Sequence, residues 1–275
     1  MATVQAPTQA PAAGPAARFG RGDRVRALVI VALLLFSLFA LPPLLSTYWI
    51  DVLTAVAIYS VVALGLNVLM GRVGMVSLGQ IAVLALGAWI GARLDFATGL
   101  PFPLVLIATG LLTMVLGTLI GLPALRLSGL YLALITLMLA GAITIVLTAT
   151  NFPNGGGGFT GYTDTIKGSS EVRRPDIATS DLAYYRYTVI VTVLLFGLAI
   201  WHVRSKAGRA WAAIRQSEPA ALAAGVNITL YKLWAFALAS FMTGAAGCLL
   251  AASAGGLTTY AFPAQDSITL LAVVL

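Results

Sequence analysis

The sequence predicts an all-α fold, a polytopic helical membrane protein. Composition, the length of the apolar runs and the placement of charge carry that prediction. Sixty per cent of the 275 residues are hydrophobic and 9% are charged, where a soluble domain carries about 25% charged residues. Mean hydropathy is +0.97. A water-soluble fold of this length could not cover so much apolar surface, so the surplus must face lipid.

A bilayer core of about 30 Å needs roughly 20 mostly apolar helical residues. Seven complete stretches meet that length: Ala27–Leu45, Val52–Met70, Met75–Ala92, Leu104–Leu122, Leu130–Ala149, Tyr187–Val203 and Leu233–Ala254. An eighth starts near Ile268 and stops at Leu275, which is too short to span, so the C-terminus reads as truncated. Residues 1–26 form a tail rich in Ala and Pro that ends in RFGRGDRVR, and they are read as a disordered cytoplasmic segment. The apolar run that follows resembles a signal peptide. It is too long for a signal core and ends at Pro42-Pro43 without a small-residue cleavage site, so a retained first helix is expected.

Loop charge sets the orientation. With the N-terminus in the cytoplasm, the outer loops receive Arg93, Lys167, Arg173, Arg174 and Arg186, and the other eleven of sixteen basic residues (16 − 5) lie inside. Asp51, Asp95, Asp164, Glu171, Asp176, Asp181 and Asp266 fall outside, and the predicted helix centres carry no charge. Residues 27–275 thus form one transmembrane domain with an external loop at 150–186 and an internal loop at 204–232.

The net charge of +7 does not imply nucleic acid, because the basic residues are scattered among short loops and form no stripe. Cys248 is the only cysteine and His202 the only histidine. A Cys/His metal site or hydrolase therefore lacks its ligands and its nucleophile–base pair. No G-x-x-x-x-G-K-[ST] loop is present, so a nucleotide would have to bind another chain. No catalytic, metal or cofactor residue is expected on this chain.

The internal loop has the clearest local signals. Gly208–Gln216 sets Trp211, Ala212 and Ile214 among Arg209 and Arg215, a short amphipathic pattern. Ser217 is a good N-cap, Pro219 suits a first helical turn, Glu218 favours the helix dipole and Gly225 supplies a stop. A short capped helix follows, and it needs a surface to dock on. That surface is either the lipid headgroups or a groove on a cytoplasmic partner.

A second segment, Gly65–Gln80, is GLNVLMGRVGMVSLGQ. Gly71 and Gly74 make a tight turn the simplest reading, although glycine can also break a helix at membrane depth. Asn67, Ser77 and Gln80 are polar groups in apolar runs. Each singly is accounted for by interhelical hydrogen bonds, and together with Gly79 they are candidates for lining a solute path.

Three stretches resemble one family. GRAWAAIRQSEPAALAAGVNITLYKLWAF (Gly208–Phe236) looks like the cytoplasmic coupling loop of LivM-like branched-chain amino-acid ABC importer permeases. Gly65–Ala92 resembles that family's G-L-N-x-x-x-G-x-x-G-x-x-S-L-G-Q segment, and LRLSGLYLALITLMLA (Leu125–Ala140) is similar as well. NGGGGFTG (Asn154–Gly161) is a looser match. Against the broader importer motif E-A-A-x-x-x-G, Pro219 separates Glu218 from the Ala pair, while the Ala221-to-Gly225 spacing is kept. The resemblance implies ATPase coupling through Gly208, Arg209, Ile214, Arg215, Glu218, Ala220, Ala221 and Gly225. It implies as partners a second homologous permease, two cytoplasmic ATP-binding subunits and an external solute-binding protein, in the inner membrane of a bacterium. Relatives of this type also carry urea or short amides, and an ion-coupled secondary carrier is the alternative of another class.

Overall fold

Helices account for the described segments because lipid offers no partner to a free N–H or C=O, and a helix satisfies both within one segment. The computed structural model describes residues 29, 32–40, 42–124, 130–150, 174–254, 262 and 265–274. These form α1 (Thr47–Asn67), α2 (Gln80–Thr98), α3 (Phe102–Ala124), α4 (Leu130–Thr150), α5 (Asp181–Arg204), α6 (Lys206–Gln216), α7 (Glu218–Ala223), α8 (Ile228–Ala254) and α9 (Asp266–Val274).

Five segments among the described residues are long and apolar enough to cross a bilayer: Thr47–Val73, Gln80–Thr98, Phe102–Leu119, Asp181–Arg204 and Ile228–Ala254. Tyr131–Val146 in α4 is a shorter apolar stretch. The expected first tail, most of the 150–186 loop and the glycine-rich Asn154–Gly161 lie outside the described residues.

Residues 1–44 and 45–275 separate into two units. In the first, where a span was expected over Ala27–Leu45, the described part is α-helical at residues 29 and 32–35, π-helical at Phe36–Ala40 and a 3-10 turn at Pro42–Leu44. Two consecutive prolines withhold backbone donors and stop regular helix there.

The second unit is built around α8. Of its most apolar window 89% is buried, against 28% for α5. Its sequence explains that position, because ALASFMTGAAGCLLAASA is made mostly of small residues. Small residues let neighbouring backbones approach, and close packing is what holds helices together in lipid. Between α8 and α2 the backbones themselves come close, so that a Cβ on Gly87 would run into the backbone of Gly244 and one on Gly247 into the backbone of Leu84 and Ala88. Near the α5 start of the bundle, the buried Tyr184 hydroxyl donates to Leu249 O at 2.6 Å. Beside it Arg174 pairs with Asp181 at 2.6 Å and reaches Ala252 O at 3.3 Å.

α3 shows how the periphery is patterned. Val105, Thr109 and Thr113 are buried, while Leu104, Ile107, Leu111, Val115 and Leu119 form an exposed stripe at helical spacing. In a bilayer that stripe meets acyl chains.

The expected span Met75–Ala92 begins differently. α1 continues as a π-helix through Val73, and Gly74 at φ +85° ends it, with its N–H and that of Met75 on Leu69 O. Residues 75–79 are irregular yet largely buried, and α2 starts only at Gln80. The sequence pattern read the apolar 75–79 as helix. The structure breaks the helix there because protein groups, described below, satisfy the freed backbone.

Gly87→Leu is expected to lower the thermal midpoint of the detergent-solubilised protein sharply, since overpacking alone costs about 1–3 kcal/mol and here it meets backbone. Gly197→Ala is the control, because nothing lies within 4 Å of its added Cβ. Equal midpoints for the two variants would show that α2–α8 contact is not limiting.

Candidate functional site: the α5–α8 loop and the polar break before α2

The loop between α5 and α8 is a built structure. Ser205 caps α6, accepting from Ala207 N at 3.2 Å, and Ser217 caps α7, accepting from Ala220 N at 3.4 Å. Gly225 takes φ +80°, and Val226 N–H returns to Ala221 O at 3.0 Å, so the chain reverses into α8. The capped helix and glycine stop expected over Ser217–Gly225 are present.

Several contacts seat this loop on the bundle. Trp211 is fully buried and its Nε1 donates to Tyr231 O at 2.8 Å. Ala210, Ile214 and Ala221 are buried around it. Gly208 lies against the Val203 carbonyl, where a Cβ could not fit. The Lys232 ammonium, nearly buried, pairs with Glu218 at 2.7 Å, joining α8 to the first turn of α7.

This divides the expected coupling residues. Arg209, Arg215, Glu218, Ala220 and Gly225 are exposed, whereas Gly208, Ile214 and Ala221 face the chain's own core. The resemblance counted Ala221 among the coupling residues; it is 3% exposed, while its neighbour Leu222 is 64% exposed. A six-residue helix leaves about one side in every two against the support, and without the support's position the sequence cannot choose between neighbours.

The loop also touches the break before α2. Arg215 donates through its guanidinium to Gly71 O on the π-helical end of α1. Beyond that end, Leu78 N–H donates to Thr136 Oγ1 of α4 at 2.9 Å. Thr243 of α8 donates to Gln80 Oε1 at 2.8 Å, both buried. Ser77, Gly79, Gln80, Thr136 and Ser240 line one cavity of about 20 Å³, room for about one water and no solute. Ser240 lies twelve residues beyond Ile228, ~18 Å along α8 at about 1.5 Å per residue, so this polar cluster sits deep in the apolar layer.

Asn67 does not join it. Its side chain lies over Gly71, and the residue lines a separate cleft of about 770 Å³ between α1 and α9. Asp266 lines the same cleft and acts electrostatically on Tyr59. Tyr59 is twelve residues into α1, ~18 Å from its start. Sequence reading assigned Asp266 to an outer loop and left the helix interiors uncharged. In the structure Asp266 opens α9, is exposed, and lines the cleft together with Tyr59. Thr136, Thr243 and Asp266 were missed because a lone threonine or a helix-leading aspartate has no periodic signature. Among the described residues no three His, Cys, Asp or Glu side chains gather as metal ligands do.

The comparisons with known proteins agree with one another. A family model described as "Branched-chain amino acid transport system / permease component" matches residues 48–275. The chain is 32% identical to the high-affinity branched-chain amino acid transport system permease protein LivM of Salmonella typhimurium, covering 92% of this chain and 64% of that protein. It is also 32% identical to the LivM protein of Escherichia coli, covering 90% of this chain and 62% of that protein. It thus spans a little under two thirds of the length of these relatives. No solved structure matches the chain significantly.

Trp211→Ala and Ala221→Glu are both expected to loosen the loop, the first by about 3–5 kcal/mol of lost packing. Limited trypsin digestion should then cut at Arg209 and Arg215 at least tenfold faster, with the membrane spans still intact. Unchanged cleavage of both variants would mean that the loop is held by something other than these two contacts.

Proposed function

As a chain that belongs to the branched-chain amino acid transport permease family, we propose that this protein is the membrane-spanning subunit of an ATP-driven importer for branched-chain amino acids. Family members are transporters, and the apolar helices fit a multi-pass membrane protein. In this reading the chain pairs with a second homologous permease, two cytoplasmic ATPases and an external solute-binding protein in a bacterial inner membrane. The N-terminus and the α5–α8 loop lie in the cytoplasm, in keeping with loop charge.

One observation carries the coupling role. The capped helix α7 projects an exposed Leu222 beside exposed Ala220, while Trp211, Ala221 and the Lys232–Glu218 pair fasten its back to the bundle. A rigidly seated apolar knob suits helix-in-groove docking on a partner. A helix lying on headgroups needs no such fastening. Movement of an attached ATPase would reach the bundle through α6, whose Arg215 holds the end of α1. From there the backbone runs directly to Ser77, Gly79 and Gln80. The narrow cavity at those residues supports a closed solute path, with Asn67 on a separate wall.

Leu222→Glu is expected to cut co-purification of the ATPases at least tenfold while the thermal midpoint of the permease stays within about 2 °C, since the side chain contacts little within the chain. In proteoliposomes, leucine uptake should require internal ATP and the external binding protein. Uptake driven by an ion gradient alone would defeat this reading.

A further inference from the structure

The loop end of α5 carries a surface that the importer reading leaves unused. α5 is the least buried of the five long spans, with 28% of its most apolar window inside the bundle. Ile190, Leu194, Gly197, Trp201 and Arg204 follow one another at three- and four-residue steps and are all exposed, so they form one outward stripe. The stripe is apolar for most of its length and ends in a guanidinium. Nothing lies within 4 Å of a Cβ added to Gly197, which leaves a notch along it.

Three rings make a ledge at the end of this stripe. The His202 ring lies 5.1 Å from that of Trp201 and 5.9 Å from that of Trp234 on α8. His202 Nδ1 is 2.9 Å from Leu198 O, a contact that fixes the middle ring. The two tryptophans are exposed. Trp201 stands three residues before the end of α5, ~4.5 Å at about 1.5 Å per residue, the level at which amphipathic rings meet headgroups. Beyond the ledge Arg204, Lys206 and Arg209 are exposed, and no acidic residue occurs between positions 182 and 217. The ion pairs among the described residues, Arg174–Asp181 and Lys232–Glu218, include none of these three cations.

Apolar stripe, aromatic ledge and cations follow the order of a phospholipid read from acyl chain to phosphate. A neutral headgroup would leave the cations without net compensation. A soluble anion would leave the stripe and the ledge uncovered.

We propose that this surface binds one anionic phospholipid from the leaflet on the side of the α5–α8 loop. Arg204 and Lys206 receive the phosphate, the Trp201–His202–Trp234 ledge carries the glycerol and ester region, and an acyl chain follows Gly197, Leu194 and Ile190. Lys206 opens α6, so the bound lipid also anchors the start of the loop to the bilayer.

The test uses the full-length protein, with the subunits that co-purify with it, in phosphatidylcholine nanodiscs. Lipids with brominated acyl chains quench tryptophan emission on contact. The signal of the ledge is the difference between the native protein and Trp201→Phe/Trp234→Phe, since every other tryptophan is common to both. Brominated phosphatidylglycerol should be preferred over brominated phosphatidylcholine by about fivefold in apparent affinity for each basic residue engaged. The preference should saturate by roughly 10 mole per cent of the anionic lipid, as a site does and a diffuse surface potential does not. Arg204→Gln/Lys206→Gln should abolish it at an unchanged thermal midpoint, and Arg204→Lys should retain most of it. Arg72→Gln removes another exposed arginine at the same end of the bundle and should leave the preference intact.

Equal quenching by the two lipids would overturn the proposal, as would a preference that rises in proportion to lipid fraction. So would one that Arg72→Gln removes as fully as the double variant. A ledge that neither lipid quenches would show that a second membrane subunit covers it, which also sinks the site. If Arg204→Gln/Lys206→Gln fails to fold, the saturation measurement, which needs no change at the basic residues, still decides. The site requires only a membrane-spanning chain. ATP-driven uptake without lipid preference would therefore remove the site and keep the importer, and preference without such uptake would do the reverse.

Discussion

The closeness with which α8 admits its neighbours governs the rest of the structure. In lipid there is no hydrophobic drive between helices, so association depends on packing and on buried hydrogen bonds. α8 meets that requirement with a run of Ala, Gly and Ser, and the backbones of Gly87 and Gly244 touch. Contact that close multiplies weak dispersion attractions and leaves no room for a side chain. It also sets the height of α2 on α8, and hence the depth at which Gln80 meets Thr243.

Because α2 is placed by that contact, the chain has to cover the distance from the end of α1 without helix. Residues 75–79 do so, and their backbone would be intolerable against lipid. Thr136 supplies the acceptor for Leu78 N–H, and Thr243 engages the Gln80 side chain. The irregular segment therefore depends on two helices far away in sequence. Such protected breaks are where transporters place polar groups at membrane depth. The same bundle forms two separate cavities with polar lining, one nearly filled at Ser77–Gln80 and one open between α1 and α9, where Asp266 lies.

The α5–α8 loop joins this interior to the surface through few contacts. Trp211 holds α6 to Tyr231, Lys232 holds α7, and Arg215 holds the end of α1. None of these is a long chain of intermediates: from Arg215 to Gln80 there is a π-helical turn and a short run of backbone. A π stretch has weaker local hydrogen bonding than α-helix and is commonly found at functional positions. In the proposed importer, this is the element best suited to shift when the loop is pulled.

Sequence alone was enough for the membrane class, for most of the helices and for the internal loop, since these depend on local properties. An apolar run declares a span by its length, and Ser217, Pro219 and Gly225 declare a capped helix by their own backbone preferences. The short motifs also sufficed to point to the family. What only tertiary structure decided was which side chains face which neighbour. Ala221 turned inward and Leu222 outward, Asn67 parted from Ser77 and Gln80, the apolar 75–79 stayed irregular, and Asp266 came to line a cleft beside α1. In lipid both faces of a helix are apolar, so hydrophobic periodicity is blunted and carries little information about burial. The choice of face then falls to small-residue contacts and to hydrogen bonds between distant residues, neither of which leaves a local trace.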